Sequence, residues 1–188
     1  HHLVLRRSLD LGMSWQPNQM VRESQSGECF TNPTPLVDAR NGRIFLFFAH
    51  NEDNQRTRLL LTTSDDDGVT WSPDRDLTEL FAADPLQRPF HLPGPGHGLQ
   101  LQSGRLAVQV WHRLGISRDF KTPPWDQRLY SICTVYSDDG GATWQTGDYL
   151  PIGWHANESR LVQLHDGTLL VNARGVGFMG EGARHRIV

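Results

Sequence analysis

One pattern of eight residues, Ser-x-Asp-x-Gly-x-Ser/Thr-Trp, occurs three times in this chain of 188 residues, at Ser8–Trp15, Ser64–Trp71 and Ser137–Trp144. Repetition at intervals of several tens of residues is typical of a fold that reuses one supersecondary unit. The pattern has the residues of a tight turn, because Ser and Asp side chains bond nearby backbone N–H groups and Gly supplies positive φ. We therefore interpret the motif as structural, with its aspartates non-catalytic, and expect each Trp to pack between neighbouring units.

A second repeat, out of phase with the first, predicts three hairpins. Runs rich in Leu and Val flank Asn-Gly, Ser-Gly and Asp-Gly pairs, whose glycines Gly42, Gly104 and Gly167 follow one another by 62 and 63 residues. Such a pair between two apolar runs is a strong hairpin signal. One β-rich run leads into a turn motif and another extended segment follows it, so one unit holds four antiparallel strands. The sequence therefore predicts an all-β fold, a β-propeller of four-stranded antiparallel blades.

The length of the chain corresponds to about three blades. We expect strands three and four of one blade, two complete blades and the opening hairpin of the next. Because a propeller has to close, we expect residues 1–188 to be a single partial domain, truncated at both ends and internal to a six-bladed domain. The polar segment Arg113–Arg128 contains two adjacent prolines and lacks periodicity, which indicates an inserted loop.

Composition narrows the classes of partner. The formal net charge is −3, which gives no basic surface for nucleic acid, and no apolar run reaches the length of a membrane span. Cys29 and Cys133 are too few for a disulfide framework; two free thiols are the favoured state, and a bridge stays open. The nine histidines lack metal-ligand spacing, so we expect neither a metal site nor a cofactor.

The third hairpin brings a carboxylate and a guanidinium to the end of the sheet away from its turn. If His165–Gly167 is a three-residue loop with its glycine in the left-handed region, Glu158 lies opposite Arg174 on the same face. A two-residue loop would place them on opposite faces. The simplest interpretation of the pair is a cross-strand salt bridge.

Several segments together resemble the sialidase (neuraminidase) family, six-bladed propeller glycoside hydrolases with repeated Asp boxes. They are LVLRRS (Leu3–Ser8), TNPTPL (Thr31–Leu36), GPGHGLQL (Gly94–Leu101), and NES with DGTLLVNARG within Asn157–Gly175. The resemblance covers essentially the whole chain. It implies an exo-α-sialidase that hydrolyses terminal sialic acid from glycans with retention, through a tyrosyl-enzyme intermediate.

The resemblance also implies roles for two residues. Arg174 matches the second of three arginines that bind the sialic acid carboxylate, and Glu158 matches the base that activates the tyrosine. The other two arginines, the acid/base aspartate and the tyrosine should lie before Leu3 or beyond Val188. We therefore expect the 188-residue piece alone to hydrolyse nothing.

Five further residues match substrate-binding positions of the family, each with a structural alternative. Thr31 and Asn32 would line the sugar pocket, unless the Asn-Pro pair is only a turn. His97, in a glycine-rich loop at a blade entrance, would approach the ligand or anchor its loop. Trp111 and His112 would lie near the glycerol chain or the leaving sugar, and a core position also explains the tryptophan.

Two other functions remain open for the same scaffold. One is a non-catalytic propeller that binds glycans or proteins through the same face, and the other is a hydrolase of a different sugar, because fold does not fix function. A tyrosine and two further arginines in the completed chain would favour the enzyme.

Overall fold

The computed structural model describes residues 1–51, 53, 55–114, 130–151 and 156–175 of the chain. This part contains β-strands and one 3₁₀ helix, Thr78–Phe81. The strands are β1 Leu3–Leu5, β2 Gln19–Arg22, β3 Cys29–Val37, β4 Ile44–Asn51, β5 Thr57–Ser64, β6 Arg75–Asp76, β7 Phe90–Pro93, β8 Leu99–Gln100, β9 Leu106–Arg113, β10 Tyr130–Ser137, β11 Gln145–Thr146, β12 Ala156–Gln163 and β13 Leu169–Gly175.

The strands form four antiparallel sheets that follow one another along the chain. We call them half-blade 1 (β1 and β2), blade 2 (β3 to β6), blade 3 (β7 to β11) and hairpin 4 (β12 and β13). In blade 3 the inner strand is divided into β7 and β8, which both pair with β9. This order confirms the predicted division into two outer strands, two complete blades and an opening hairpin.

The sheets are held together by apolar clusters between their faces. In β4, Phe45 and Phe47 belong to the cluster shared with blade 3, whereas Leu46 and Phe48 belong to the cluster shared with half-blade 1. Successive residues of a strand point to opposite faces, so the continuous apolar run of β4 supplies both clusters. Complete burial of such a side chain contributes roughly 1.5–3 kcal/mol. A third cluster, which includes Ala173, joins blade 3 to hairpin 4.

The repeated motif is a turn closed by its own side chains, as predicted. In blade 2, the N–H of Gly68 donates to Ser64 Oγ at 2.9 Å, and the N–H of Thr70 donates to Asp66 Oδ1 at 2.8 Å. The Thr70 hydroxyl also donates to Asp66 Oδ2 at 2.6 Å. The two bonds from Thr70, with one from the Ser64 hydroxyl, hold the pKa of Asp66 at about 2, below its ordinary value. The other two motifs repeat the arrangement. The prediction of a structural role is confirmed.

The tryptophans of the three motifs have different surroundings. Trp144 is buried against Phe45 and Phe47 of blade 2, and Trp71 packs against the cluster between blade 2 and half-blade 1. Each therefore contacts the sheet that precedes its own. Trp15 is 58% exposed, and packing between blades is confirmed for the other two only.

Two further predictions concern the cysteines and the inserted loop. Cys29 and Cys133 are both free thiols, as favoured from the sequence. The predicted loop Arg113–Arg128 lies mostly outside the described residues. Arg113 itself is the last residue of β9.

Candidate functional site

The turn of hairpin 4 decides how its two functional side chains meet. Gly167 has φ of 90°, and the N–H of Leu164 donates to the carbonyl of Thr168 at 2.8 Å. Gln163 pairs with Leu169. The turn is therefore the predicted three-residue loop, and the register that it sets holds from Gln163 opposite Leu169 to Ser159 opposite Ala173.

Glu158 and Arg174 form an ion pair at the end of the hairpin away from that turn. Arg174 Nη1 donates to Glu158 Oε2 at 2.9 Å. The register shifts between Ala156 and Ser159, which places Glu158 in an irregular stretch of β12. The side chains of Glu158 and Arg174 are 41% and 67% exposed. Because only one N–H of the guanidinium is used by Glu158, its other donors can reach a ligand.

The pair borders a cavity with a volume of about 360 Å³. This volume is at the lower end of the range for small-molecule sites. Two of the lining residues, Ser159 and Ala173, are buried. The lining residues are Pro95, Glu158, Ser159, Arg160, Asn172, Ala173 and Arg174.

Residues near this site occupy matching sequence positions in neighbouring sheets. Glu158 lies five residues before the last residue of β12, Pro95 lies five before the end of β8, and Asn32 lies five before the end of β3. The Asn32 side-chain amide donates to the carbonyl of Pro93 at 3.0 Å, across the boundary between blades 2 and 3. Of these three residues, Glu158 and Pro95 line the cavity.

The Gly94–Gly98 segment docks directly on hairpin 4. A Cβ at Gly94 would lie 2.9 Å from the carbonyl oxygen of Ser159, and one at Gly96 would lie 2.5 Å from Cζ of Arg160. Gly96 also has φ of 128°, a conformation that side chains disfavour. Arg160 Nε donates to the carbonyl of Pro95 at 3.1 Å. The glycines thus allow the close approach that forms one wall of the cavity.

Thr31 and Asn32 lie within β3 and not in a turn. The register shifts between Thr31 and Thr34, and Asn32 has φ of 54°, so the segment is a bulge in the strand. The Thr31 hydroxyl donates to Asn32 Oδ1 at 3.0 Å. These bonds and the contact with Pro93 fix the bulge beside blade 3.

His97 is exposed, and its Nδ1 lies 2.9 Å from the carbonyl oxygen of Gly98. It lies in the predicted glycine-rich loop, which separates β7 from β8 in the inner strand of blade 3. The ring is not among the lining residues of the Glu158 cavity. The structure therefore does not bring His97 together with the ion pair.

Trp111 and His112 lie in β9, with strands paired on both sides. His112 is completely buried, with Nδ1 2.7 Å from His91 Nδ1 and Nε2 3.1 Å from Cys133 Sγ. Burial holds the pKa of His112 well below its ordinary value. Trp111 packs in the cluster between blade 3 and hairpin 4, which agrees with the core alternative. The geometry gives no support to ligand contact by His112.

Several lining residues were not singled out from the sequence, and two of them are long polar side chains, Arg160 and Asn172. Arg160 is two residues after Glu158, and Asn172 is two residues before Arg174. Side chains two apart on a strand share a face, so the spacing could have identified both.

Within the described ranges, no cluster of three or more His, Cys, Asp or Glu side chains could hold a metal ion. The same part of the chain contains no helix long and apolar enough to cross a bilayer.

The site and the fold can be compared with known proteins. Sialidase-3 from Bos taurus is 35% identical over 162 residues, which are 78% of this chain and 38% of that protein. The chain thus spans well under half the length of this relative.

Solved structures share the fold. Hadza microbial sialidase Hz136 superposes with a TM-score of 0.77 at 22% identity, covering 93% of this chain and 36% of that one. A covalent-intermediate complex of Trypanosoma rangeli sialidase with 2,3-difluorosialic acid has a TM-score of 0.70 at 17% identity, covering 93% of this chain and 29% of that one. The model of the BNR repeat-like domain family matches from residue 3 to residue 187. Since that match covers nearly all of its length, the chain belongs to the BNR repeat-like domain family.

Proposed function

We propose that the chain is part of a retaining exo-α-sialidase, which hydrolyses terminal sialic acid from glycoconjugates through a tyrosyl-enzyme intermediate. The observation that carries the proposal is the Glu158–Arg174 pair on the rim of the cavity. The sialidase relatives support it, as does the covalent sialic acid analogue held by the Trypanosoma rangeli enzyme.

Arg174 binds the carboxylate of the sugar in this proposal. A guanidinium is planar, permanently charged and able to donate two parallel hydrogen bonds to a carboxylate. The Arg174 side chain is 67% exposed beside the cavity, and Nη1 alone is used by Glu158. The remaining N–H groups are therefore available to the substrate.

Glu158 acts as the base that activates the nucleophile. The substrate carboxylate would repel an anionic nucleophile, and sialidases use a tyrosine instead. Because a phenol has a pKa near 10, it needs an adjacent base. Glu158 accepts the phenol proton as the tyrosine oxygen bonds to the anomeric carbon. The glycosidic bond breaks at the same time, and the leaving sugar oxygen takes a proton from the acid/base aspartate of the rest of the protein. Water then hydrolyses the tyrosyl-enzyme.

We further propose that residues 1–188 form part of one six-bladed domain, with the tyrosine, two arginines and the acid/base aspartate supplied by the rest of the protein. Thr31 and Asn32 line the sugar pocket from blade 2. The equivalent positions of Asn32 and Glu158 on their inner strands support this arrangement.

The experiment is a rate measurement on the full-length protein with an aryl α-sialoside. We expect release of the phenol, and we expect Glu158→Gln to lower kcat by about 10²-fold or more with a smaller change in KM. Glu79→Gln, at an exposed position of the 3₁₀ helix, is the matched control and should retain activity.

Three outcomes separate the alternatives. Hydrolysis that survives Glu158→Gln unchanged contradicts the base assignment. Binding of sialylated glycans without any release favours the non-catalytic propeller. Release of a different sugar from its aryl glycoside, with the sialoside untouched, would show a hydrolase of another specificity.

A further inference from the structure

Arg160 is a cation of the cavity that has no acidic partner within the described ranges. Its side chain is exposed, and Nε donates to the neutral carbonyl of Pro95. The nearby carboxylate of Glu158 is paired with Arg174. In the described part of the chain, no ion pair joins Arg160 to an Asp or Glu.

The position of Arg160 relative to the ion pair is set by the strand. Arg160 and Glu158 are two residues apart in β12, so their side chains share a face and their Cα atoms are about 7 Å apart. This separation is comparable to the length of one sugar ring. The charges of Glu158 and Arg174 offset each other, which leaves one positive charge beside the cavity.

Support of the Pro95 segment does not by itself account for an arginine here. The segment is already fixed by the N–H of Gly94, which donates to the carbonyl of Gln109 at 2.8 Å. At its other end the N–H of Gly98 donates to the carbonyl of Pro35, also at 2.8 Å. The bond from Arg160 Nε adds to these anchors and orients the guanidinium plane, so that both terminal amino groups remain for a ligand.

We propose that Arg160 binds a second acidic group of the substrate, carried by the unit next to the terminal sialic acid. This inference rests on the proposed function. The substrate class is a glycan with a carboxylate or a sulfate on the penultimate sugar. Either group accepts paired hydrogen bonds from the guanidinium, and such charge-assisted bonds are stronger than neutral ones.

The test compares three glycans on the full-length protein: sialyl-lactose, whose penultimate sugar is neutral, disialyl-lactose, and sialyl-lactose sulfated on its galactose. The quantity measured is the ratio of kcat/KM for each doubly acidic glycan to that for sialyl-lactose. We expect a ratio of about ten in the wild type, because the charge-assisted hydrogen bonds to the second acidic group are partly offset by the loss of its hydration.

Variants of Arg160 test whether this residue causes the preference for doubly acidic glycans. Arg160→Gln should bring the ratio to about one, and Arg160→Lys should give an intermediate value. Arg75→Gln is the matched control, because Arg75 also donates to a backbone carbonyl, that of Ala142, and should keep the wild-type ratio. A preference for only one of the two acidic glycans identifies carboxylate or sulfate as the group bound.

Two results would overturn the inference while leaving the proposed function intact. One is hydrolysis of sialyl-lactose with a wild-type ratio near one. The other is an equal loss for every glycan in Arg160→Gln, which would make Arg160 only a support of Pro95. If no glycan is hydrolysed, the proposed function fails. Affinities of the same glycans, measured by calorimetry, then test the inference. It requires that a doubly acidic glycan binds more tightly than sialyl-lactose, and that Arg160→Gln abolishes this difference in affinity.

Discussion

Trp144 lies edge-on against Phe47, with ring centroids 4.9 Å apart and an interplanar angle of 87°. The first ring belongs to the turn motif of blade 3 and the second to the middle strand of blade 2. The motif therefore closes its own turn through Asp139 and also attaches its blade to the preceding one. The motif of blade 3 thus links a local turn to the packing between blades, as expected for a fold whose repeats are stabilised by their neighbours.

Replacement of Trp144 by Ala should destabilise the chain by about 3–5 kcal/mol, because it leaves a large cavity between two blades. The measurement is urea unfolding of the 188-residue chain. Trp15→Ala is the control and should cost less than about 0.5 kcal/mol, because Trp15 is exposed. Equal losses for the two variants would contradict the role of the tryptophan between blades.

Gly141 and Gly167 share φ of 90° but differ in their surroundings. A Cβ at Gly141 would overlap the ring of Phe45, whereas one at Gly167 would have no heavy atom within 4 Å. Gly167→Ala should therefore lower the free energy of unfolding by roughly 1–2 kcal/mol, because alanine disfavours the left-handed conformation. Gly141→Ala should cost a further 1–3 kcal/mol or so from overpacking. Comparable unfolding midpoints for the two variants would show that the blades adjust freely at Phe45.

Asp66 should make stability depend on pH at acidic values. Hydrogen bonds from Thr70 and Ser64 lower the pKa of Asp66 to about 2, so its stabilisation is complete above its ordinary value near 3.8 and is lost as the pH falls towards 2. Asp66→Asn should lower the urea midpoint at pH 7, and the difference from wild type should shrink across that window. Asp67→Asn, at an exposed variable position of the same motif, should change little. A difference in urea midpoint between Asp66→Asn and wild type that stays constant with pH would show that the charge of the Asp66 carboxylate does not stabilise the fold.

Features that depend on the local order of residues could be predicted from the sequence. Features that depend on pairing with another strand could not. The loop at Gly167 and the register as far as Ser159 followed from turn chemistry and strand alternation, whereas the shift beside Glu158 did not. The bulge at Asn32 did not, because an Asn-Pro pair is also typical of a turn and the shift depends on β4. His112 was misjudged because all eight residues of β9 are buried, so no polar alternation marks a ligand-facing side. Its partner His91 comes from another strand.

His91 should make the fold lose stability as the pH falls from 6.5 towards 4. Burial lowers the pKa of His91 to about 4, so below pH 6.5 the unfolded chain binds a proton that the folded chain does not. Stability from this group is complete above pH 6.5 and declines by about 1.4 kcal/mol per pH unit below it. His91→Gln should reduce the slope measured by urea unfolding between pH 6.5 and 4, whereas exposed His97→Gln should retain it. The same slope in both variants would exclude His91 as its source.

Arg174→Lys tests whether the guanidinium geometry, and not only its charge, is needed for the proposed reaction. Lysine keeps the positive charge but cannot donate two parallel hydrogen bonds to a carboxylate while also bonding Glu158. Loss of one charge-assisted hydrogen bond, worth roughly 1.5–3 kcal/mol, should lower kcat/KM of the full-length protein for an aryl α-sialoside by about 10- to 150-fold. Both kcat and KM should worsen, because Arg174 binds the substrate and positions Glu158. Arg75→Lys, on a surface contact with Ala142, should leave both constants unchanged. If Arg174→Lys matches wild type, a point charge suffices at this position and the paired recognition of the carboxylate is wrong.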